Sequence, residues 1–443
     1  MDPMKTENLC EELVGRFFRY VSIESQSDAD ATHLPSSPGQ MRLAEMLAEE
    51  LRGFGLEDVV LDDNAVLTAV KRGNTSQAPS IGFIAHLDTV DVGLSPVIRP
   101  QIFHFDGEDL CLNKAENIWL RVGEHPEIRG WKDADIIVGD GTSVLGADNK
   151  AAIAVIMTLL SRLDARDGYG DIHVAFVPDE EIGLRGAKAL DLDRFACDFA
   201  YTIDCCELGE VVFETFNAAS VDVTFCGVSA HPMSAKGVLV NPLLMAVDFI
   251  GLFDRQDTPE HTDGRAGFFW FKTLVADDST ARLTAFIRDF DRADFDRRKR
   301  AAEDATDIIR ARYPDGSVEL RLSDTYGNIA DALAGDDRAS DLLTAAIASL
   351  GIKAKVLPMR GGTDGAVLSD RGIPTPNFFT GAHNFHSRFE FLPIPAFEAS
   401  FRVAAAICAM AAERAIGTDA RVDAERQSKL PRRRHAVQVG GER

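Results

Sequence analysis

The sequence lacks an excess of positive charge, and its cysteines are not spaced as in a disulfide framework. Lys and Arg total 47 against 70 Asp and Glu, so the formal net charge is −23. A chain this acidic repels polyanions, and we expect neither nucleic acid nor an anionic membrane as a partner. The seven cysteines are irregularly spaced and form no CxxC pair. This pattern indicates free thiols in a reducing cytoplasm.

The sequence also lacks a long apolar run and an N-terminal apolar segment of the signal-peptide type. The apolar run Ala151–Leu160 has ten residues, whereas a membrane span needs ~18 or more. We therefore interpret this run as a buried helix, and we predict a cytoplasmic protein that has no membrane partner.

Strand and helix patterns alternate along most of the 443 residues, which is typical of an α/β domain with a largely parallel sheet. Near residue 215 the pattern changes to β-α-β-β-α-β, the order of ferredoxin-like folds, and the α/β pattern then resumes. A compact second domain is therefore predicted as an insertion into the first. The predicted divisions are 1–214 and 323–416 for the two parts of the main domain, 215–322 for the insertion, and 417–443 for a disordered basic tail.

Histidines and acidic residues lie near the predicted carboxyl ends of several strands, where ligand sites form in open α/β sheets. Singly they have ordinary explanations: Asp148 could cap a helix, and the glutamates of PDEEIG, which follow Asp179, could form a solvated acidic turn. Together they make a coherent set. Its members are His86, Asp88, Asp148, Glu180, Glu181, Asp204, His383 and His386.

The chemistry of this set indicates a divalent metal site. Imidazole and carboxylate groups without a thiolate suit zinc, manganese or cobalt. The set exceeds what one catalytic zinc needs, and it fits two ions ~3.5–4 Å apart that share a bridging carboxylate. Adjacent strand residues point to opposite faces, so we expect Glu180 and Glu181 to have different roles. We predict two divalent ions per chain, zinc in the first place and cobalt or manganese as alternatives.

Eight short motifs carry a resemblance to a known family. In chain order they are HLDTV, GADNKAA, PDEEIG, YTID, FNAASV, RDFDR, RGGTDGA and FTGAHNFHSRFEF. With them the sequence resembles the M20 family of dinuclear zinc peptidases, and within it the peptidase T subfamily of tripeptide aminopeptidases. The resemblance extends to about residue 416. It implies an α/β, zinc-exopeptidase-like catalytic domain with a mostly parallel central sheet, and an inserted ferredoxin-like α+β lid domain.

The resemblance also implies the metal ligands. His86 and Asp204 correspond to ligands of one ion, Glu181 and His386 to ligands of the other, and Asp148 to the carboxylate that bridges both. His383 is implied to be a pocket or surface residue, and not a ligand. Cys205 and Cys206, which follow Asp204, are expected to be buried side chains.

The implied activity is that of a metal-dependent aminopeptidase, which releases the N-terminal residue from short peptides, tripeptides in particular. A hydroxide bound to both ions would attack the peptide carbonyl, with Glu180 as the general base and Asp88 as the catalytic aspartate that orients a metal ligand. Two alternatives stay open. Another M20 activity, as a dipeptidase, carboxypeptidase or N-acyl amino-acid deacylase, would use the same site. A protein of a different class would bind peptides without hydrolysing them.

The inserted domain resembles the lid of the family, which would close over a short peptide and support a homodimer. His231 resembles a lid histidine that stabilises the oxyanion, although Met233 replaces the glycine usual in that motif. Arg288 resembles a lid arginine that holds the substrate carboxylate. Asn217 and Arg360, in FNAAS and RGGTDG, are further implied substrate-binding residues.

Overall fold

The computed structural model describes residues 8–75, 77–163 and 168–428. Within this part the helices are, in chain order, α1 Leu9–Val21, α2 Pro38–Gly53, α3 Ala147–Arg162, α4 Arg185–Ala189, α5 Pro242–Ile250, α6 Arg292–Arg312, α7 Ile329–Leu333, α8 Arg338–Ser349, α9 Asp364–Asp370 and α10 Ile394–Ser428. The strands are, in chain order, β1 Glu57–Leu61, β2 Leu67–Lys71, β3 Ile81–His86, β4 Gln101–Phe105, β5 Leu110–Asn113, β6 Ile118–Leu120, β7 Ala134–Val138, β8 Ile172–Val177, β9 Phe199–Cys205, β10 Glu210–Thr215, β11 Asn217–Cys226, β12 Phe268–Ala276, β13 Thr280–Asp289, β14 Ser317–Tyr326, β15 Lys355–Met359, β16 Asn377–Phe379 and β17 Phe391–Pro393.

The central sheet is built from strands of both halves of the main domain. Its order in the described residues is β1-β2-β8-β3-β9-β16-β10-β15. The strands are parallel from β8 through β3 and β9 to β16, and again between β10 and β15, while the other pairs are antiparallel. Every residue of β3 and β8 is buried, as expected for strands covered on both faces. The α/β class is confirmed, with a mixed sheet that is parallel at its centre.

Three helices form the core on one side of this sheet. Helix α3 packs against α1, α10 and β3, and it is buried from Ala147 to Leu160, which explains the apolar run in the sequence. By length and composition the segment Ile394–Glu413 of α10 could cross a membrane, but 56% of it is buried inside the protein. It packs against α3, α8 and β7, and we conclude that it is a core helix.

The C-terminal helix extends beyond the predicted end of the main domain. Helix α10 continues to Ser428, whereas the sequence predicts a disordered tail from residue 417. Residues 417–428 include two Ala, two Arg, one Glu and one Gln, which are good helix formers. Lack of an apolar stripe is therefore a poor guide to where this helix ends. The rest of the predicted tail, 429–443, lies outside the described residues.

The segment from β11 to β14 forms a separate layer with its own core. Its strands make an antiparallel sheet in the order β12-β13-β11-β14, and the chain order is β11, α5, β12, β13, α6, β14. Helices α5 and α6 contact this sheet and each other. The buried side chains between them include Phe225, Phe249 and Ile287. This is the β-α-β-β-α-β arrangement that the sequence predicts.

The sequence patterns do not predict the strands between residues 101 and 138. Here β7 pairs with β4 on one side and with β17 on the other to form a three-stranded sheet, and β5 pairs with β6. These strands have three to five residues, too short for a clear periodicity. They enclose a small apolar core that includes Phe105, Ile136 and Phe391. The pairing of β17 with β7 ties the chain that follows His386 to the main domain.

Candidate metal centre

The predicted ligands meet at the carboxyl edge of the central strands. His86 is the last residue of β3, Asp204 lies near the end of β9, and Glu181 follows β8. Asp148 comes from the first turn of α3, and His386 comes from the loop after β16. Since β8, β3, β9 and β16 are adjacent and parallel, their carboxyl ends bring these side chains together.

Asp148 lies between the two histidines. Its Oδ1 is 2.9 Å from His86 Nε2, and its Oδ2 is 3.0 Å from His386 Nε2. A second carboxylate accompanies each imidazole: Asp204 Oδ1 is 3.9 Å from His86 Nε2, and Glu181 Oε1 is 3.0 Å from His386 Nε2. Each histidine thus has one Asp148 oxygen and one further carboxylate beside it. This pairing is compatible with the two ion sites that the family resemblance implies, and the assignment of each ligand stays a prediction.

Asp88 supports the centre from a buried position. Its Oδ1 is 3.2 Å from Nδ1 of His86, so the other ring nitrogen is directed towards Asp148. Asp88 also accepts hydrogen bonds from the backbone N–H of Glu180 at 3.0 Å and of Glu181 at 3.2 Å. One carboxylate therefore orients a ligand imidazole and anchors the turn that carries both glutamates, in agreement with the orienting role predicted for it.

The electrostatics of the centre favour a cation. Burial and then the charge of Asp148 raise the pKa of Asp204 and of Glu181, and desolvation raises the pKa of Glu180 well above its usual range. Burial lowers the pKa of His86, but the hydrogen bonds that its ring donates to Asp148 and Asp88 outweigh burial and raise the pKa. Negative charge is crowded here without enough positive charge to balance it.

The donor set fits a divalent ion on two structural grounds. One ligand atom from each of His86, Asp148 and Glu181 lies within 4.8 Å of the others. Glu181 Oε1 is buried and, despite its closeness to His386, has no well-aligned hydrogen-bond donor. Zinc and the neighbouring transition metals bind well to imidazole nitrogen and carboxylate oxygen atoms, and they do not require a thiolate ligand. These residues are therefore suited to hold such ions.

Three further charged groups surround the centre, and the sequence analysis did not single them out. Lys150 is fully buried and donates to the backbone carbonyl of Asp88 at 2.7 Å; burial lowers its pKa to about 8. Burial raises the pKa of Asp364 and of Glu390 to about 7. All three belong to the quoted motifs GADNKAA, RGGTDGA and FTGAHNFHSRFEF. Their positions were visible in the sequence, but their burial was not.

Asp179 is a structural residue, and the solvated-turn interpretation is wrong for it. The side chain is fully buried. It accepts hydrogen bonds from Ser36 N at 2.9 Å, Ser36 Oγ at 2.5 Å and Gln40 Nε2 at 2.6 Å, and Arg185 Nη1 lies 3.5 Å away. Asp179 therefore fixes the start of the Glu180 turn to helix α2.

The two residues expected from the lid occupy different environments. Arg288 lies over the rings of Phe286 and Tyr326, at 5.1 and 5.6 Å from their centroids. A Cβ at position 362 would lie 2.3 Å from Tyr326 Cζ, so Arg288 is on the side of the insertion that contacts the main domain. Its Nη1 also donates to the carbonyl oxygens of Ala219 and Ile287 at 3.3 and 2.8 Å. His231 is exposed, and its Nδ1 accepts a hydrogen bond from Met233 N at 3.2 Å. No contact among the described residues joins it to the metal ligands.

The structure does not place Arg360 as a free substrate-binding group. Its guanidinium donates to the carbonyl oxygens of Thr262, Gly264 and Ala266 at 2.7 to 3.2 Å, and to Thr262 Oγ1 at 2.9 Å. It also lies over Phe216 at 5.3 Å from the ring centroid. Arg360 thus joins the main domain to the insertion through its Nη1 and Nη2 atoms, and its predicted substrate contact stays a prediction.

Asn217 likewise belongs to the junction between the domains. It is fully buried. Its Nδ2 donates to the carbonyl oxygens of Asp289 and Phe290 at 3.3 and 3.2 Å, and its Oδ1 accepts from Asn328 N at 3.2 Å. These backbone groups occupy the polar atoms of the side chain, and the predicted substrate contact stays a prediction.

The remaining expectations concern His383 and the cysteines. His383 is 6% exposed and accepts a hydrogen bond at its Nε2 from Trp131 Nε1 at 3.0 Å. Its ring also stacks on Phe391, so it is a buried packing residue and not a ligand. All seven cysteines are free thiols; Cys205 is buried, and Cys206 is half-buried.

Known proteins similar to this chain cover nearly all of its length. A peptidase T-like protein of Rhizobium meliloti (strain 1021) is 67% identical over 402 residues, which are 91% of this chain and 98% of the relative. A peptidase T-like protein of Yersinia pestis is 57% identical over 91% of this chain and 99% of its own length. Peptidase T of Caldanaerobacter subterraneus subsp. tengcongensis is 40% identical over 88% of this chain and 97% of its own.

Solved structures show the same fold. The aminopeptidase PepT from Bacillus cereus superposes with a TM-score of 0.70 at 22% identity, over 91% of this chain and 99% of that one. A dinuclear metal-binding M20 peptidase from Bacillus subtilis superposes with a TM-score of 0.57 at 15% identity, over 90% and 99% of the two chains. Residues 135–411 match peptidase family M20/M25/M40. These findings confirm the resemblance, and the chain belongs to peptidase family M20/M25/M40.

Proposed function

We propose that the protein is a metal-dependent aminopeptidase that releases the N-terminal residue from short peptides, chiefly tripeptides. Its family membership and its peptidase T relatives support an exopeptidase. The observation that carries the proposal is the position of Asp148, whose two oxygens lie against His86 and His386. A carboxylate shared in this way is the part that a two-ion hydrolase requires.

Bound divalent ions would supply Lewis acidity, which polarises a peptide carbonyl and makes water acidic enough to ionise near neutral pH. His86, Asp204, Glu181 and His386 would hold them on either side of Asp148. Zinc suits this donor set best, with cobalt and manganese as the nearest substitutes.

Glu180 would move the proton. It lies next to the ligand Glu181, and Asp88 anchors its backbone N–H, so its carboxylate is held at the centre without being needed as a ligand. It would accept a proton from the attacking water and return that proton to the leaving amine. Arg288, on the side of the insertion that contacts the main domain, would bind the carboxylate at the other end of a short peptide.

The proposal predicts different outcomes for the base and for the bridge. Glu180→Ala should keep both ions and lose activity on a tripeptide by 10²-fold or more, which is the range of general-base contributions. The measurement is turnover together with metal content on the same sample. Near-normal turnover with both ions bound would show that Glu180 is not the base. Peptide binding without turnover by the metal-loaded wild type would identify a binding protein.

The choice of substrate separates this activity from its relatives in the family. A free tripeptide should be cleaved faster than its N-acetylated form, and product analysis should show release of the first residue. Preference for the acetylated peptide would instead indicate a deacylase, and release of the last residue a carboxypeptidase. Cleavage of dipeptides alone would indicate a dipeptidase.

We also propose that a second copy of the chain is a partner, through the inserted domain. The outer face of α5 exposes Leu243, Leu244 and Val247, which are 41 to 54% exposed. The adjacent strand β12 is at the edge of its sheet, and such an edge pairs readily with a copy of itself.

The free cysteines support a reducing cytoplasm as the location of the protein.

Sedimentation velocity tests this partner. The wild type should sediment as a dimer, and Leu244→Lys should sediment as a monomer, because a charge would be buried in the interface. Leu350→Lys, an equally apolar exposed site in the main domain, should remain dimeric. A monomeric wild type at micromolar concentration would contradict the proposal.

A further inference from the structure

The buried carboxylate of Glu390 holds the loop that presents Asp148. Glu390 is 1% exposed. Its Oε2 accepts the backbone N–H of Leu145 at 2.7 Å and of Gly146 at 2.9 Å, and its Oε1 accepts that of Asp148 at 3.2 Å. These donors lie at the start of α3, where the helix dipole favours a negative charge. The position of the Asp148 backbone therefore depends directly on this side chain.

Glu390 is also the end of the loop that carries His386. Two backbone hydrogen bonds between His383 and Phe391, at 2.8 and 3.2 Å, close this loop. Within it, Glu390 N donates to the carbonyl of Ser387 at 3.1 Å. The loop is thus compact. The carboxylate of its last residue, Glu390, accepts the hydrogen bonds from the loop that presents Asp148. Two segments distant in sequence are joined at one side chain.

We propose that Glu390 is a positioning residue that fixes Asp148 and His386 relative to each other before any metal binds. This inference rests on the proposed metal-dependent function. Metal sites need ligands held within about 0.5 Å of their working geometry, and Asp148 and His386 come from separate loops. Loss of an outer contact of this kind typically lowers metal affinity 10–100-fold, and the ion beside His386 should be affected most.

Two substitutions at Glu390 distinguish the effect of its hydrogen-bond geometry from the effect of its negative charge. Glu390→Gln keeps the shape of the side chain, but its NH₂ group must face at least one of the three N–H donors, which leaves that donor unpaired. Glu390→Asp keeps the charge but is one methylene too short to reach all three. Both should bind Zn²⁺ or Co²⁺ 10–100-fold more weakly than the wild type in calorimetric titrations of the metal-free proteins, and excess Co²⁺ should restore turnover.

The control is Asp171→Asn, which removes a carboxylate that accepts the backbone N–H of Gly73 at 2.8 Å. Asp171 precedes β8 and lies at the opposite end of that strand from Glu180, so metal affinity should be unchanged. Wild-type affinity in Glu390→Gln would overturn the proposal. Loss in Glu390→Gln with none in Glu390→Asp would overturn it too, since charge alone would then be responsible.

A measurement on the wild type covers the case in which the variants do not fold. Hydrogen exchange at the amides of Leu145, Gly146 and Asp148 should be slow in the metal-free protein, because Glu390 and not the ion holds them. Protection that appears only after Zn²⁺ is added would overturn the proposal. A wild type that binds metal but cleaves no peptide would refute the proposed function and leave the affinity comparison valid.

Discussion

Asp179 contributes to stability at the scale of a single residue. Its carboxylate accepts three hydrogen bonds from Ser36 and Gln40 and lies 3.5 Å from Arg185. Asp179→Ala leaves these buried donors unpaired, and we expect the free energy of unfolding to fall by about 3–5 kcal/mol, as for other broken buried charge contacts. Urea denaturation of the metal-free protein measures this.

Asp193→Ala is the matched control for that substitution, since Asp193 is exposed and such a change costs within about 0.5 kcal/mol. A loss below 1 kcal/mol in Asp179→Ala would mean that the buried contacts are replaced by water. Activity cannot substitute for this measurement, because Asp179 adjoins Glu180 and a shift of the turn would lower turnover as well.

The sequence motifs identified the polar residues at and near the centre. They did not show which of these side chains already use their hydrogen-bond donors within the protein. Asp148 and His386 follow from the motifs, because the ends of parallel strands converge. The motifs do not show that donors of Arg360 and Asn217 are bonded to backbone carbonyls that lie elsewhere in the chain. The hydrogen-bond partners of a side chain depend on the tertiary fold, so a short sequence motif does not predict them.

At the scale of elements, helix α4 fixes the turn that carries the two glutamates. Backbone N–H groups of Arg185 and Gly186 donate to the carbonyls of Asp179 and Pro178 at 3.0 and 2.9 Å. A Cβ at position 186 would lie 2.3 Å from Pro178 O, so the helix and the end of β8 approach more closely than any side chain allows. The glycine sets the distance between these elements.

Gly186→Ala should therefore displace the turn and lower both stability and turnover. We expect a loss of about 1–3 kcal/mol in unfolding free energy, as for overpacked sites, and a decrease in kcat larger than any change in KM. Gly15→Ala in α1 is the control, because no atom lies within 4 Å of its added Cβ. Position 15 is exposed, and Ala at an exposed helix position should be neutral or stabilising by up to about 1 kcal/mol. Equal behaviour of the two variants would contradict the close approach.

The sequence predicted helices and strands where the periodic pattern of apolar residues extended over many residues. It did not predict them where this pattern was short. The order from β11 to β14 was predictable because each element has nine or more residues. The strands β4 to β7 have three to five residues. Strand β7 pairs with β17, which is far away in the sequence, and all four share an apolar core with Phe391 of β17. Pairing of this kind leaves no local pattern.

At the scale of the whole molecule, two halves of the main domain are separated in sequence by the insertion and meet at the candidate metal centre. His86, Asp148, Glu181 and Asp204 precede the insertion, and His386 follows it. A bound ion would therefore crosslink the two halves, and its binding energy would add to the stability of the main domain. Without the ion, the crowded carboxylates repel one another.

Chelation should lower the thermal stability of the whole protein. A ligand that binds only the folded state stabilises it by about 2.7 kcal/mol at a free concentration of 100 Kd, so removal of Zn²⁺ with excess chelator should lower Tm in calorimetry by several degrees. Asp148→Asn, which loses a charge that both ions would share, should show little or no chelator-dependent shift. An unchanged wild-type Tm after the metal is removed would contradict a crosslink between the two halves of the chain.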